Sequence, residues 1–288
     1  MECGYFFYKL GQDISMGLPR ACAYKIASFL ADLHYFLSHG ERRALFRSLR
    51  FSGIGKDNSQ IKLLARQIFR NFAKNLVDFF RFGLVDHRFL MRKVKIVGLE
   101  HVDLVLRGGR GVLVVTAHLG NWEFGGVIMA QKGYALNAVA WEHKDRRTNN
   151  LFIYQRERKA VKVIPLGMAL RKCFRVLENN EMLAMVGDRD FSPRGTKVKV
   201  EFFGRPAYVP RGPAVLCLKT GATIVPGFTI RNRDDSFTLY FEKPIDFSAS
   251  GSLENDICTL TQKIINVIEI YVRRYPRQWF MFRDFWDR

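Results

Sequence analysis

Between residues 112 and 186 the chain alternates short β-branched apolar runs with longer amphipathic segments, and nothing else in it narrows the fold so far. Residues 112–116, 135–141, 162–166 and 182–186 have the length and composition of buried strands. The stretch opening at Asn121, residues 145–159 and residues 169–179 read as helices. Strands alternating with helices through short connections return parallel to one another, so the expectation is an α/β fold with a mostly parallel central sheet flanked by helices. Further on come extended pieces at 197–203, a helix around 213–219, strands at 223–230 and 237–242, and a helix over 253–274. Residues 1–95 read as helical: Pro19 suits a helix start, and Ile61, Leu64, Ile68, Phe72, Leu76 and Phe79 recur at three- and four-residue steps. The chain therefore divides into an N-terminal amphipathic helical region, 1–95, packed on an α/β domain, 96–288.

Residues 116–126, Thr-Ala-His-Leu-Gly-Asn-Trp-Glu-Phe-Gly-Gly, follow the first of these strands. They place His118 at the strand's C-terminal end, where open α/β sheets bind ligands, and Glu123 five residues on. A histidine and a carboxylate so placed are a candidate base and its orienter. Gly120 marks a turn, and backbone N–H groups from Gly120 and Asn121 to Trp122 are candidates to hold an oxyanion or a phosphate. The blander alternative is a satisfied histidine and a glutamate favoured by the helix dipole. A membrane span over 111–131 is rejected, because Gly120 and Asn121 break the run and Glu123 is costly in hydrocarbon.

Forty-six Lys and Arg against twenty-seven Asp and Glu give a net charge of +19, which calls for an anionic partner surface. The basic residues are interleaved with twenty-five Phe and many aliphatics, and no RNP, zinc-finger, Walker or KH pattern occurs, so an anionic membrane is expected rather than nucleic acid. Residues 14–37 are apolar but interrupted by Arg20, Lys25 and Asp32, which suits a helix lying on a surface and a peripheral or monotopic association. Lys62, Arg66, Arg70 and Lys74 form a basic stripe, either a solvated helix face or a phosphate contact. The five cysteines are widely spaced, forming no metal cluster or obvious disulfide framework, and no cleavable signal peptide is visible, so a reducing, cytoplasm-facing location is expected.

The wording His-Leu-Gly-Asn-Trp-Glu resembles the His-x-x-x-x-acid motif of the glycerolipid and lysophospholipid acyltransferase superfamily, in the form used by the lipid A biosynthesis (lauroyl/myristoyl) acyltransferases. Further blocks extend the resemblance from about residue 10 to the C-terminus. Arg156, with Arg158 as the fallback, precedes Val-Lys-Val-Ile-Pro-Leu-Gly as the family's site arginine does. Asp188 matches the family's Asp-Gln, with Arg189 replacing the Gln. Phe-Ser-Pro-Arg-Gly-Thr carries Arg194 where the wider superfamily often has Glu in its phosphate-binding block. Val-Glu-Phe-Phe-Gly and Tyr-Pro-Arg-Gln-Trp-Phe match later blocks, while Val209 stands where a threonine is usual.

The resemblance implies acyl transfer from an acyl carrier protein thioester to a hydroxyl of a lipid A precursor, a phosphoglycolipid, at the cytoplasmic face of the bacterial inner membrane. His118 would act as base and Glu123 would fix its tautomer, with Gly120, Asn121, Arg156, Asp188 and Arg194 as substrate or oxyanion contacts. There is no Gly-x-Ser-x-Gly elbow, which argues for direct transfer without an acyl-enzyme. Phe124, Val127 and Ile128 are candidates for an acyl slot, though such residues are more often core. Neither a metal nor an organic cofactor is implied. Competing readings are an acyltransferase of the same architecture acting on a lysophospholipid or another glycolipid, and a metal-dependent glycosyltransferase using Asp188-Arg189-Asp190. A non-enzymatic reading, a basic membrane or nucleic-acid binding protein with a vestigial site, is the remaining class.

Overall fold

The computed structural model describes residues 3–166, 169–189, 197–283 and 286. Its centre is strand β2, Val112–Thr116, buried along its whole length. Side chains alternate across a strand: Val112 and Val114 pack into one apolar cluster, Leu113 and Val115 into another, so both faces of the sheet are covered. That explains a run with no polar alternation.

Seven strands form the sheet in the order β1-β9-β8-β2-β5-β3-β4. They are β1 (Val94–Val97), β3 (Leu136–Ala140), β4 (Lys162–Pro165), β5 (Met182–Val186), β8 (Thr223–Arg231) and β9 (Phe237–Phe241) with β2. β2 runs parallel to both neighbours, Val114 lying opposite Ala184 of β5 and Val225 of β8. β3 and β4 continue the parallel set, whereas β8 and β9 are antiparallel and β1 joins β9 in parallel. The expected mostly parallel sheet is therefore present. β6 (Lys197–Phe202) and β7 (Arg205–Pro210) form a separate antiparallel hairpin.

Helix α7 (Trp122–Gln131) covers the Val112 face, and α11 (Leu253–Arg274) with α9 (Ala169–Glu178) and α10 (Gly212–Thr220) lies on the Leu113 side. Three elements were not expected. β1 is only four residues long and half exposed, α6 (Leu99–Arg107) starts after a left-handed Gly98, and β7 contains Pro206 and Pro210, which are poor strand residues.

The N-terminal helices are α1 (Cys3–Gly17), α2 (Arg20–Leu37), α3 (His39–Phe51), α4 (Asn58–Phe80) and the short α5 (His87–Lys93). On the basic stripe of α4, Lys62 is exposed, and the half-exposed Arg66 and Arg70 have an acidic partner within the fold. Both guanidiniums fork onto Asp32 of α2 and hold its carboxyl well below the usual range, while Lys74 pairs with Asp235. The outer side of α1 and α2 leaves Phe6, Phe7, Phe29, Leu33, Phe36 and Leu37 exposed. No helix among the described residues is long and apolar enough to cross a membrane.

Candidate active site

His118 lies two residues beyond β2 and four before α7. The turn between them needs Gly120, whose φ is +62° and where a Cβ would come within 2.1 Å of the Thr229 carbonyl oxygen. The C-terminal segment clasps this turn. Phe280 N–H donates to the His118 carbonyl at 2.9 Å, and Gly120 N–H donates to the Gln278 carbonyl at 2.9 Å. Asn121 N–H donates to Thr229 O at 2.7 Å. Two of the N–H groups expected to form an oxyanion site are thus already engaged in shaping the turn. Asn121 instead caps α7 by accepting from Phe124 N–H at 3.2 Å, and its amide donates to Asp78.

The acid on the histidine ring is Asp188, just past β5. Its Oδ1 lies 2.7 Å from His118 Nδ1, and its Oδ2 accepts from His118 N–H at 3.1 Å. Asp188 is fully buried. Burial pushes its carboxyl up, but the charges of His118 and Arg189 and the hydrogen bonds from His118 bring it below the ordinary value. An ionised Asp188 accepts from Nδ1–H, which leaves the basic lone pair on Nε2. Arg189 Nε also lies 3.0 Å from Nδ1. That nitrogen has one role at a time, so beside an ionised Asp188 the guanidinium acts on the ring by its charge. Burial, then Arg189, hold the His118 pKa below its usual 6.5, against the pull of Asp188, so the imidazole is neutral at pH 7.

Glu123 has a different partner. Arg156 of α8 (Arg146–Glu157) grips it with Nε at 2.8 Å and Nη2 at 2.7 Å, a planar fork on a carboxylate. Burial raises the Glu123 carboxyl, and Arg156, with smaller help from His118 and Trp122, brings it below its ordinary value. The tautomer-fixing role expected of Glu123 therefore falls to Asp188. Glu123 acts on His118 through charge and anchors Arg156.

His118, Glu123, Arg156 and Arg189 all line one cavity of about 380 Å³, whose apolar wall includes Trp122, Val139, Trp141, Phe152 and Met185. Arg158, the fallback arginine, lies elsewhere, with its guanidinium over the Tyr154 ring and against Gly83. Phe124, Val127 and Ile128 are core, at 0–2 % exposure. The face of α7 turned to the cavity carries Trp122 and Gly126. Arg194 and Asp190 lie outside the described residues. Sequence reasoning missed His143 on the cavity wall and took Arg189 only as a departure from Asp-Gln. A cation beside an acid in that block was the available signal.

The sequence profile described as bacterial lipid A biosynthesis acyltransferase matches residues 2–288. The chain belongs to that family. Its relatives include the phosphatidylinositol mannoside acyltransferase of Mycobacterium tuberculosis, 28% identical over 267 residues, covering 90% of this chain and 81% of that protein. The Mycolicibacterium smegmatis protein of the same name is 27% identical over 284 residues, covering 97% and 90%. This member of the lipid A acyltransferase family is thus an acyltransferase, and the glycosyltransferase reading of Asp188-Arg189-Asp190 falls away. Asp188 gives both its oxygens to His118 in any case.

Proposed function

We propose that this acyltransferase moves a fatty acyl chain from a thioester to a sugar hydroxyl of an anionic glycolipid, with His118 as general base and no acyl-enzyme. The observation that carries the reading is the His118–Asp188 pair, which directs the ring's basic lone pair to Nε2 on a residue lining a largely apolar cavity. Nε2 takes the proton of the acceptor hydroxyl as its oxygen attacks the thioester carbonyl carbon. The C–S bond of the tetrahedral intermediate then breaks, and the departing thiolate takes the proton from the imidazolium. Arg156 and Arg189 flank the base and supply positive field for the oxyanion.

The donor in this reading is an acyl carrier protein thioester, an acidic partner suited to a chain of net charge +19. The acceptor is a lipid A precursor by the family's description, and the work is done at the cytoplasmic face of a bacterial inner membrane. The exposed apolar side of α1 and α2, beside so basic a chain, supports peripheral seating there. A second acceptor, phosphatidylinositol mannoside, is favoured by the names of the relatives, and both acceptors join sugar hydroxyls to phosphate.

The test incubates purified protein in detergent micelles with lauroyl and palmitoyl thioesters of acyl carrier protein and of coenzyme A. An underacylated lipid A precursor and phosphatidylinositol mannoside serve as parallel acceptors, with His118→Ala as the control. A product with only one acceptor, seen by mass spectrometry and absent from the variant, assigns the substrate. Chelation leaves the rate unchanged on this mechanism. Product from His118→Ala would remove the histidine from the chemistry.

A further inference from the structure

Beneath the His118 turn lies a second ionic cluster, in which Tyr24, Asn75, Asp78, Asn121 and Arg231 are each less than 9% exposed. Asp78 of α4 sits at its middle. One carboxylate oxygen accepts from the Tyr24 hydroxyl and from Arg20 Nε at 3.3 Å, and the other from Arg231 and from the Asn121 amide at 3.1 Å. Arg231, at the end of β8, also donates to Tyr24 Oη at 2.6 Å and to Asn75 Oδ1 at 2.7 Å. Asn75 completes the circuit by donating to the Gly120 carbonyl at 2.7 Å. Burial, then the Asp78 charge, push the Tyr24 hydroxyl well above its ordinary range, so it stays protonated and donates.

This cluster grips the catalytic turn at two points, the Gly120 carbonyl and the Asn121 side chain, and a third hold reaches it from the same arginine. Gln278 accepts from Arg231 N–H at 3.0 Å and donates to the Arg231 carbonyl at 2.9 Å, and the Gln278 carbonyl receives Gly120 N–H. Charged groups are buried at a cost that hydrophobic residues of similar volume would avoid, so a function in setting geometry is the simplest account of their presence. Tyr24 and Arg20 extend the cluster to α2, whose opposite side carries the exposed Phe29, Leu33, Phe36 and Leu37.

We propose that Asn75, Asp78 and Arg231 are positioning residues for the reaction, and that α2, through Tyr24, sets the shape of the His118–Asn121 turn. The inference rests on the acyltransferase reading of that turn. A displacement of about 1 Å at the base is enough to cost up to about a hundredfold in rate. The seating of α2 thus enters turnover without any α2 residue touching substrate.

Tyr24→Phe removes one hydroxyl and keeps the ring, and Asn75→Ala removes one hold on Gly120; Arg231→Lys keeps the charge but loses the fork. Asp78→Asn is the harsher variant, since it leaves Arg231 buried without its counter-charge. The measurements are kcat and KM for a lauroyl thioester, thermal melting, and amide hydrogen exchange across residues 117–123. Tyr24→Phe and Asn75→Ala are expected to lower kcat about tenfold with KM within about twofold, and to speed exchange in the turn, while both stay folded at the assay temperature. Melting that falls with kcat and turn protection unchanged would overturn the proposal, leaving a purely structural cluster. If the wild type transfers no acyl group, the acyltransferase reading fails, and the exchange data still decide whether α2 shapes the turn.

Discussion

Glu123 and Asp188 approach His118 from different elements, one from the first turn of α7 and the other from the end of β5, and cations hold both below the ordinary carboxylate range. They differ in what they touch. Asp188 binds the imidazole at Nδ1 and at the backbone, whereas both oxygens of Glu123 are taken by Arg156. A histidine-carboxylate spacing along the chain thus identifies an ionic neighbourhood without saying which acid is bonded to the base. The contact is decided by the β2–β5 pairing, which places Val186 opposite Thr116 and so brings Asp188 beside His118.

The largest effect should come from exchanging these acids one at a time. Asp188→Asn keeps volume but loses the acceptor that selects the Nδ1–H tautomer, and kcat is expected to fall by about 10³- to 10⁴-fold, approaching His118→Ala. Single-turnover assays with a lauroyl thioester measure this. A loss of about tenfold or less at Asp188→Asn, with a loss of about 10³-fold or more at Glu123→Gln, would reverse the comparison and restore Glu123 as the tautomer-fixing acid.

Glu123→Gln should act first on the cavity wall. It leaves Arg156 largely buried without its counter-charge, at about 3 kcal/mol of stability, the low end for such a break because the Glu123 side chain keeps 24% of its exposure. Arg156→Met removes positive field from the cavity, and about a hundredfold lower kcat is expected. The double variant Glu123→Gln/Arg156→Met should regain part of the melting temperature without regaining rate. Additive losses in melting would mean that the two side chains are not a unit.

The sheet was readable because its strands are buried on both faces and make unbroken apolar runs, as β2 does. The four-residue β1 and the proline-bearing β7 lacked that signature, and neighbours in the fold supply what their composition does not. At the site, His118, Glu123 and Arg156 were legible through one motif and one arginine. Asp188 was found, but its bond to the ring depends on strand pairing. Gly120 and Asn121 were singled out as N–H donors, but the partners that engage those N–H groups, Gln278 and Thr229, lie more than a hundred residues away and were not legible. The acidic partner of the α4 stripe was hidden for the same reason: Asp32, which binds Arg66 and Arg70, is on another helix.

The smallest effect, and the sharpest on mechanism, concerns pH. His118 is held below its usual pKa by burial and then by Arg189, so kcat/KM should rise along an acid limb lying below pH 6.5 and level off as the imidazole loses its proton. Arg189→Gln removes the opposing cation, which lets the His118 pKa rise and moves the limb to higher pH. Asp188→Asn removes the charge that favours imidazolium, so its residual activity should carry a limb at lower pH than the wild type. Glu123→Gln should move the limb downward as well, but less, because Glu123 is the smallest of the contributions to His118. Opposite shifts from two adjacent residues are hard to obtain from a general loss of structure. Identical limbs in all variants would place the titrating group elsewhere and leave His118 without a kinetic signature as the base.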